Sequence, residues 1–217
     1  MKLQIFDSTL RDGAQGANIS FSVDDKLKVI ATLDRLGIDF IEAGNPFSNP
    51  AEMQFFQQAA GMKLEHAKLV AFGSTRRKGI APEEDSNLKS LLAAGTEYVA
   101  IFGKSHIRHV TDVIKATPEE NLAMIAESVR FLAENGKKVV FDAEHFFDGY
   151  KENAGYAMQA LAAAHGAGAW CLCLCDTNGG VFPDEAYEIT KAVAERFPDA
   201  VVSIHCHNDG GLAVAAT

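Results

Sequence analysis

The sequence predicts an α/β fold, a parallel (β/α)8 TIM-type barrel, and three observations carry this prediction. Short β-branched or aromatic runs alternate along the 217 residues with longer segments of 3.6-residue apolar periodicity. Such alternation implies parallel strands joined by right-handed crossovers. Polar residues follow nearly every apolar run, so they should gather at the carboxyl ends of the strands. No linker or composition shift divides the chain, and residues 1–217 are interpreted as one domain.

The pattern defines seven candidate strands and six candidate helices in alternating order. The strands are predicted at residues 3–6, 40–43, 69–72, 98–102, 139–141, 170–174 and 201–204. The helices are predicted at residues 23–36, 50–60, 86–94, 118–134, 155–165 and 183–197. Thr117 followed by Pro118 and by Glu120 has the pattern of a capping box and predicts a helix start. Glycines at 37, 61, 95 and 136 fall where helices should end.

An open doubly wound sheet is the competing architecture for this alternation. It would want G-x-G-x-x-G after its first strand, where this chain reads DSTLRDG at residues 7–13. Polar residues at many strand ends favour the barrel instead: Asp7, Arg11, Asp12, Glu42, Asn45, Ser74, Arg76, Lys104, Asp142, Glu144, Asp176, Thr177, His205, His207 and Asn208. Seven strands do not close an eight-stranded barrel, which needs about 250 residues. We therefore expect a barrel truncated after its seventh strand, with the eighth strand and carboxyl-terminal domains outside this sequence.

Composition limits the partners. The net charge of −9 and the pI near 5.2 argue against nucleic acid and anionic membranes, and small molecules are the expected partners. The sequence has neither an apolar signal core at its amino terminus nor a stretch of about 20 apolar residues, which indicates a cytoplasmic protein. Cys171, Cys173 and Cys175 alternate in one apolar run, and we interpret them as reduced core thiols in preference to metal ligands.

A candidate metal site lies at the end of the seventh strand. Alternation along a strand points His205 and His207 to one side and Cys206 to the other. Asp12 follows the first strand, near the seventh around a barrel, so its carboxylate can join the two imidazoles. Two histidines and one carboxylate bind divalent metals and leave positions open for substrate. The alternative is a pair of hydrogen-bonded histidines without a metal.

Three further charged residues are candidates for catalysis. Arg11 beside the metal suits a reaction that develops negative charge on a carbonyl oxygen, because its planar donors can hold an oxo acid or an enolate. The alternative is a surface ion pair with Asp12. Glu42 and Glu144 end apolar strands, where an unpaired carboxylate is costly, so they should either pair with bases such as Arg11 or Lys104 or act as acid–base groups.

Two polar loops complete the candidate site. Thr177, in the segment CDTNGG at 175–180, offers a hydroxyl that could receive a substrate carboxylate, although a turn or capping role competes. The segment GSTRRKG at residues 73–79 is a basic loop in an acidic protein. It could meet phosphates or could simply be solvated.

At these residues the sequence resembles the metal-dependent barrel enzymes that include isopropylmalate, homocitrate and citramalate synthases and hydroxymethylglutaryl-CoA lyase. The matching signatures are DSTLRDGAQ at residues 7–15 and HCHND at residues 205–209. Within the family, five segments resemble the citramalate synthase branch: FSVDDK at 21–26, GSTRRKG at 73–79, FGKS at 102–105, DAEHFFDGY at 142–150 and CDTNGG at 175–180. The resemblance runs over the whole chain.

The resemblance implies a role for each candidate residue. Asp12, His205 and His207 would bind a divalent ion (Zn, Mn or Mg), and Arg11 would steady the oxo group. Thr177 would hold the carboxylate of pyruvate, Gln15 would also contact substrate, and Glu42 and Glu144 would line the pocket. The implied reaction is a Claisen-type condensation of acetyl-CoA with pyruvate to citramalate and CoA, an acyl transfer in isoleucine biosynthesis. A homodimer is expected for the full-length protein.

Other interpretations remain open. The chemistry could be that of another family member, a synthase for isopropylmalate or homocitrate or a lyase of the hydroxymethylglutaryl-CoA type, or the chain could be a non-catalytic barrel fragment. Departures from the family pattern occur at Cys206 and at residues 45–47, 106–108 and 215–217. The family's fourth metal ligand, an asparagine, lies outside this sequence. We therefore expect residues 1–217 alone to be inactive or nearly so.

Overall fold

A computed structural model describes residues 3–217, in which seven strands form one parallel sheet in the order β1 to β7. The strands are β1 (Phe6–Asp7), β2 (Phe40–Gly44), β3 (Lys68–Ser74), β4 (Tyr98–Lys104), β5 (Lys138–Glu144), β6 (Cys171–Asp176) and β7 (Val201–Cys206). The helices are α1 (Val23–Leu36), α2 (Pro50–Ala59), α3 (Ser86–Ala93), α4 (Pro118–Glu134), α5 (Phe146–Gly166), α6 (Pro183–Arg196) and α7 (Ala213–Ala216). The predicted alternation is confirmed.

Aromatic contacts across the sheet show that it curls as the wall of a barrel. The ring of Phe40 on β2 lies 5.4 Å from that of Trp170, which immediately precedes β6, and 5.0 Å from that of Tyr98 on β4. In a flat sheet, β2 and β6 would be about 19 Å apart, since neighbouring strands are spaced by roughly 4.8 Å. The predicted barrel is therefore confirmed, and within residues 3–217 it is built from seven strands.

The two faces of the sheet bury different cores. The outer face packs against the helices through a large apolar cluster that includes Ile41, Val99, Phe141 and Leu172. The inner face carries the three aromatic rings just described and the thiols of Cys171, Cys173 and Cys175. Side chains at alternate strand positions point to opposite faces, so the polar residues at the carboxyl ends of the strands share the inner face with this second core.

Most strands run further toward their carboxyl ends than the apolar pattern predicts. Parallel pairing between β4 and β5 continues to Lys104 and Glu144, and pairing between β6 and β7 continues to Asp176. Backbone hydrogen bonding does not depend on side-chain hydropathy, so pairing persists past the last apolar residue. The predicted first strand, residues 3–6, is wrong in its bounds. The backbone N–H of Ile5 donates to the Asp39 carboxylate instead of pairing with a strand.

Helix starts follow the predicted caps. The Thr117 hydroxyl accepts a hydrogen bond from the N–H of Glu120 at 3.2 Å, which gives half of the predicted capping box. A complete box opens α1, where the side chains of Ser22 and Asp25 each accept from the other's N–H. Gly37 then ends α1 at φ 86°, a left-handed conformation in which a side chain would be strained.

Helix α5 departs most from the prediction of residues 155–165. It begins at Phe146 and is kinked at Asn153, whose φ of −149° and ψ of 82° are not helical. The Asn153 amide oxygen accepts from the N–H of Tyr156 at 3.0 Å and so caps the second segment. The first segment was missed because its adjacent buried rings, Phe146 and Phe147, have no helical periodicity of their own.

The predicted core role of the cysteines is confirmed. Cys171, Cys173 and Cys175 are buried and free, and burial raises the pKa of the Cys171 thiol well above its ordinary value. Buried, protonated thiols behave as small apolar side chains. None of the helices in residues 3–217 combines the length and the apolar character needed to cross a membrane.

Candidate active site

The loop after β1 is folded so that it presents Arg11 and Asp12 to the inner face. The backbone N–H groups of Arg11, Asp12 and Gly13 all donate to the carbonyl oxygen of Ser8, at 3.1, 2.8 and 3.1 Å. This tight turn holds the backbone beside the barrel mouth, which is the end of the barrel formed by the carboxyl ends of the strands. The side chain of Arg11 is only 12% exposed, which excludes the simple surface ion pair that was the alternative from sequence.

The structure brings Asp12 together with His205 and His207. Oδ2 of Asp12 lies 3.7 Å from Nε2 of His205 and 3.5 Å from Nε2 of His207, and the two imidazole centroids are 5.1 Å apart. Cys206, between them, packs against the outer apolar core. His205 ends β7, His207 directly follows it and Asp12 lies in the loop after β1, the two edge strands of the sheet, which do not pair with each other within residues 3–217.

Electrostatics favour a charged carboxylate at this position. Interaction with the His205 imidazole, helped by the charge of Arg11, lowers the pKa of Asp12 to about 2. Asp12 in turn raises the pKa of His205, although burial opposes the imidazolium form. One oxygen of Asp12 faces the imidazoles while the other accepts from Nη1 of Arg11 at 2.8 Å.

The donor set fits a divalent metal. One oxygen of Asp12 and one nitrogen from each histidine all lie within 4.8 Å of one another. Two imidazoles and a carboxylate suit Zn, Mn, Fe or Mg, and three ligands from one side leave open positions. A second group of potential donors, Asp142 with Cys173 and Cys175, is also close together. The hydrogen bond with Cys173 and burial raise the pKa of the Cys175 thiol, and burial raises that of Cys173 although its hydrogen bond with Cys175 opposes the shift. Thiols that stay protonated fit core packing better than a metal.

Arg11 is held in place by two carboxylates and an aromatic face. Nε donates to Oε2 of Glu42 at 2.5 Å, and the guanidinium carbon lies 4.1 Å from the ring centroid of Phe72. Burial disfavours the guanidinium charge, but the surrounding carboxylates, led by Glu42, together outweigh burial and raise the pKa of Arg11. The predicted pairing of Glu42 with Arg11 is confirmed. The position of Phe72 could not be inferred from the sequence, because it depends on the curvature of β3 toward the loop after β1.

Asp142 is a charged residue of the inner face that sequence reasoning did not select as a site residue. It lies on β5 one inward position below Glu144 and is 7% exposed. Burial raises its pKa, and burial raises the pKa of Glu42 to about 7, each against the attraction of Arg11. Oε1 of Glu42 is buried without a hydrogen-bond partner in the described structure. Asp142 was among the polar strand-end residues of the sequence, and two-residue alternation back from Glu144 is the signal that puts it on the inner face.

Glu144 pairs with Lys104, which is one of the two roles expected for it from sequence. Their side chains form a salt bridge between neighbouring ends of β4 and β5. The Glu144 side chain is 24% exposed, whereas that of Glu42 is 1% exposed. Of the two glutamates, Glu144 is therefore the one that a substrate in the barrel mouth could reach.

Thr177 lies beside the same mouth, just beyond β6. Its hydroxyl accepts a hydrogen bond from the N–H of His145 at 2.9 Å. The competing turn role belongs to Asp176, whose carboxylate oxygens accept from the N–H groups of Gly180 and Val181 at 3.3 and 3.0 Å. A hydroxyl carries one proton, so a Thr177 that accepts from His145 keeps that proton available for another acceptor.

Gln15 is placed apart from Thr177. It is exposed on a short 3-10 helix, Gly13–Gln15, and lines a cavity of about 230 Å³. The same cavity is bordered by Arg11 and Phe72 and by the ion pair of Lys26 with Glu52, whose atoms are 2.6 Å apart. Gln15 thus reaches the site from the side of Arg11.

The basic loop at residues 73–79 divides into two parts. Arg76 is buried and bound, with Nε donating to Glu127 at 2.7 Å and its backbone N–H donating to the Ser128 hydroxyl at 2.8 Å. This residue is neither solvated nor free for a phosphate, so both interpretations were wrong for it. Arg77 and Lys78 are exposed.

A family model and curated relatives match nearly the whole chain. A family model described as HMGL-like matches residues 2–217. The (R)-citramalate synthase of Aquifex aeolicus is 54% identical over 214 residues, which are 99% of this chain and 40% of that protein. The (R)-citramalate synthase of Sulfolobus acidocaldarius is 49% identical over 215 residues, 99% of this chain and 41% of that protein. The chain thus spans about 40% of the length of these curated relatives.

A solved structure shares the fold at lower identity. The HMG-CoA lyase of Bacillus subtilis superposes with a TM-score of 0.80 at 22% identity. The match covers 99% of this chain and 72% of that one. At this identity, the likeness concerns the fold of the barrel.

Proposed function

The chain belongs to the HMGL-like family, and we propose that it supplies the catalytic barrel of a citramalate synthase. The proposed reaction is a transfer of the acetyl group of acetyl-CoA to pyruvate, with release of citramalate and CoA. The observation that carries it is the position of Arg11, bonded through Nη1 to the same carboxylate that faces His205 and His207. Identity of 54% to a citramalate synthase supports this substrate pair over those of other family members.

We propose Asp12, His205 and His207 as the residues that hold a divalent metal, with Zn, Mn and Mg as candidates. When bound, such an ion supplies Lewis-acid polarisation of the oxo group. The lowered pKa of Asp12 keeps its carboxylate charged at neutral pH, as a ligand must be. A histidine must be neutral to bind a metal. Because Asp12 raises the pKa of His205, metal binding would displace a proton from that imidazole.

Arg11 and Thr177 are proposed to orient pyruvate. The Arg11 guanidinium has donors beyond those used by Glu42 and Asp12, and a planar cation suits an oxygen that gains negative charge. The Thr177 hydroxyl can donate its proton to the substrate carboxylate because its lone pair already accepts from His145. Gln15 is proposed to contact substrate from the side of Arg11, with which it lines a cavity.

Glu144 is the better candidate for the base that removes a methyl proton of acetyl-CoA. It is open to the barrel mouth, and Lys104 beside it can stabilise its ionised form. Glu42 is buried and committed to Arg11, so its proposed role is to fix that guanidinium. The resulting enolate attacks the oxo carbon of pyruvate, and the alkoxide that forms takes up a proton to become the hydroxyl of the product. Water then cleaves the thioester to release CoA and a carboxylic acid.

The proposed domain organisation is an incomplete catalytic barrel over residues 1–217. Inactivity of these residues alone stays a prediction. The same holds for the homodimer expected of the full-length protein.

The test is an assay of CoA release by the full-length protein, loaded with Mn²⁺ and supplied with acetyl-CoA and pyruvate. We expect turnover with pyruvate, and a fall of at least about 10³-fold in kcat/KM for Asp12→Ala. Asp24→Ala, on the exposed face of α1, is the matched control and should retain full activity. Turnover with a branched 2-oxo acid but not with pyruvate would refute the proposed substrate.

A further inference from the structure

His145 has an unusual backbone conformation directly after Glu144. Its φ of 54° and ψ of 38° lie in the left-handed region, which is uncommon for any residue except glycine, although asparagine, aspartate and histidine adopt it more often than the others. It joins the end of β5 to the first residue of α5. Strain of this kind persists only where the surrounding structure holds it, and it concentrates at functional sites.

The backbone N–H of His145, at the start of this turn, has a specific partner. That N–H donates to the Thr177 hydroxyl at 2.9 Å, although the two residues are 32 positions apart and follow neighbouring strands. A hydroxyl has two lone pairs and a single proton, which rotates about the C–O bond. A fixed donor on one lone pair therefore restricts the direction in which the hydroxyl proton can point.

The imidazole of His145 serves as the anchor for this turn. Its ring meets the ring of His109 edge-on with centroids 4.4 Å apart, and His109 stacks on His106 at 4.6 Å. Nε2 of His106 is in turn 3.2 Å from Oε2 of Glu152 on α5. Nδ1 of His145 is buried without a hydrogen bond in the described structure and lies 3.7 Å from Oδ2 of Asp148, so the ring contributes packing and a contact with that carboxylate.

The loops after β4 and β5 are pressed together around this anchor. Gly149, in the first turn of α5, has no room for a side chain, because an added Cβ would lie 2.8 Å from the carbonyl oxygen of Ser105. The Ser105 hydroxyl donates to the carbonyl oxygen of Glu144 at 2.7 Å. Contacts with the loop after β4 thus fix the chain before His145, at Glu144, and after it, at Gly149.

We propose that His145 is a positioning residue for the oxo acid. Its left-handed backbone places an N–H on Thr177 and thereby directs the hydroxyl proton of Thr177 toward the substrate carboxylate. The inference rests on the proposed function, since it assigns a task to the Thr177 hydroxyl. The backbone conformation of residue 145 carries this role, and the imidazole supports it through its contacts with His109 and Asp148.

The experiment compares variants that differ in their tolerance of the left-handed region. His145→Val disfavours it strongly, whereas His145→Asn and His145→Gly accept it. In the metal-loaded full-length protein, we expect His145→Val to raise KM for pyruvate about tenfold, the order expected when a hydrogen bond to a charged group is misdirected. KM for acetyl-CoA should change less than threefold, and His145→Asn should restore most of the loss in KM for pyruvate.

Two further variants separate a positioning role from general damage. Thr177→Val should raise KM for pyruvate by itself, and adding His145→Val to it should raise KM no further. His145→Ala replaces His145→Val if the latter does not fold, and its thermal unfolding is measured beside its kinetics.

Equal KM values for pyruvate in the His145→Val and His145→Asn variants would overturn this inference while leaving the proposed function intact. Absence of turnover by the unsubstituted protein would overturn both. An increase caused by His145→Val that adds fully to that of Thr177→Val would also contradict the inference.

Discussion

Arg11 connects three parts of the candidate site through one side chain. It bonds Glu42 and Asp12 at once and rests on the face of Phe72. A lysine would supply the same charge from a single ammonium group, without the fork that meets two carboxylates in fixed directions. The position therefore requires guanidinium geometry in addition to positive charge.

We predict that Arg11→Lys lowers kcat/KM for CoA release by about 10²- to 10³-fold, the order seen when one donor to a developing oxyanion is removed. Arg35→Lys is the matched control, because Arg35 is exposed on α1 and bonds only the nearby Thr32 hydroxyl, at 3.4 Å, within the described residues. Both variants are measured with acetyl-CoA and pyruvate under saturating metal. An Arg11→Lys enzyme within threefold of the unsubstituted one would contradict the role given to the guanidinium.

The sequence predicted those site residues that a local pattern identifies. Alternation was enough to put His205 and His207 on one side of a strand, and position after the first strand was enough to bring Asp12 to them. The sequence could not predict that His145 adopts a left-handed conformation or that its N–H donates to Thr177. Both depend on packing against residues 106 and 109, far away in the chain.

At the scale of elements, a buried carboxylate fixes a loop segment through hydrogen bonds. Asp34, in the last turns of α1, is 6% exposed and accepts hydrogen bonds from the backbone N–H groups of residues 65–67 at 3.0, 2.9 and 2.8 Å. These bonds, led by that from Ala67, lower the pKa of Asp34. The carboxylate thereby fixes the approach to β3.

We predict that Asp34→Ala lowers the free energy of unfolding by about 2 kcal/mol at pH 7, because three backbone donors lose a charged acceptor. A carboxyl with a lowered folded-state pKa stabilises the protein above its unfolded pKa of about 3.9. That contribution is lost as the pH falls through the folded pKa, so the difference between variant and unsubstituted protein should shrink below about pH 4. Urea unfolding at pH 7 and pH 3 measures both values.

Asp24→Ala is the control for this prediction, since Asp24 lies on the same helix, carries the same charge and is exposed. Its effect should stay below about 1 kcal/mol, the size of a helix-dipole interaction. A difference for Asp34→Ala that is equally large at both pH values would contradict the assigned cause.

Element boundaries were predictable where capping residues mark them, as at Val23 and Pro118, which open α1 and α4 as predicted. They were not predictable where tertiary contacts decide. The early start of α5 at Phe146 accompanies the burial of two adjacent aromatic rings, and the kink at Asn153 is accompanied by its cap on Tyr156. Strand ends were also underestimated, because pairing with a neighbour carried each strand on to its polar residues.

At the scale of the whole molecule, the curvature of the sheet creates the site. Asp12 and the two histidines are about 195 residues apart in sequence, yet their ligand atoms lie within 4.8 Å of one another. Parallel order and the alternation of strands with helices were predictable from hydrophobic periodicity. The contact of Phe40 with Trp170 across the barrel was not, since sheet curvature is a sum of small twists over many strands.

The central claim is that Asp12, His205 and His207 bind one divalent metal ion. Its most direct test is the binding of Mn²⁺ to chelator-treated full-length protein, measured from the electron paramagnetic resonance of free Mn²⁺. We predict one site per chain, weakened at least about tenfold in each of Asp12→Asn and His207→Asn and unchanged in His165→Asn, which lies beside Asp199 and Phe197. Equal affinity in all four proteins would contradict the assignment.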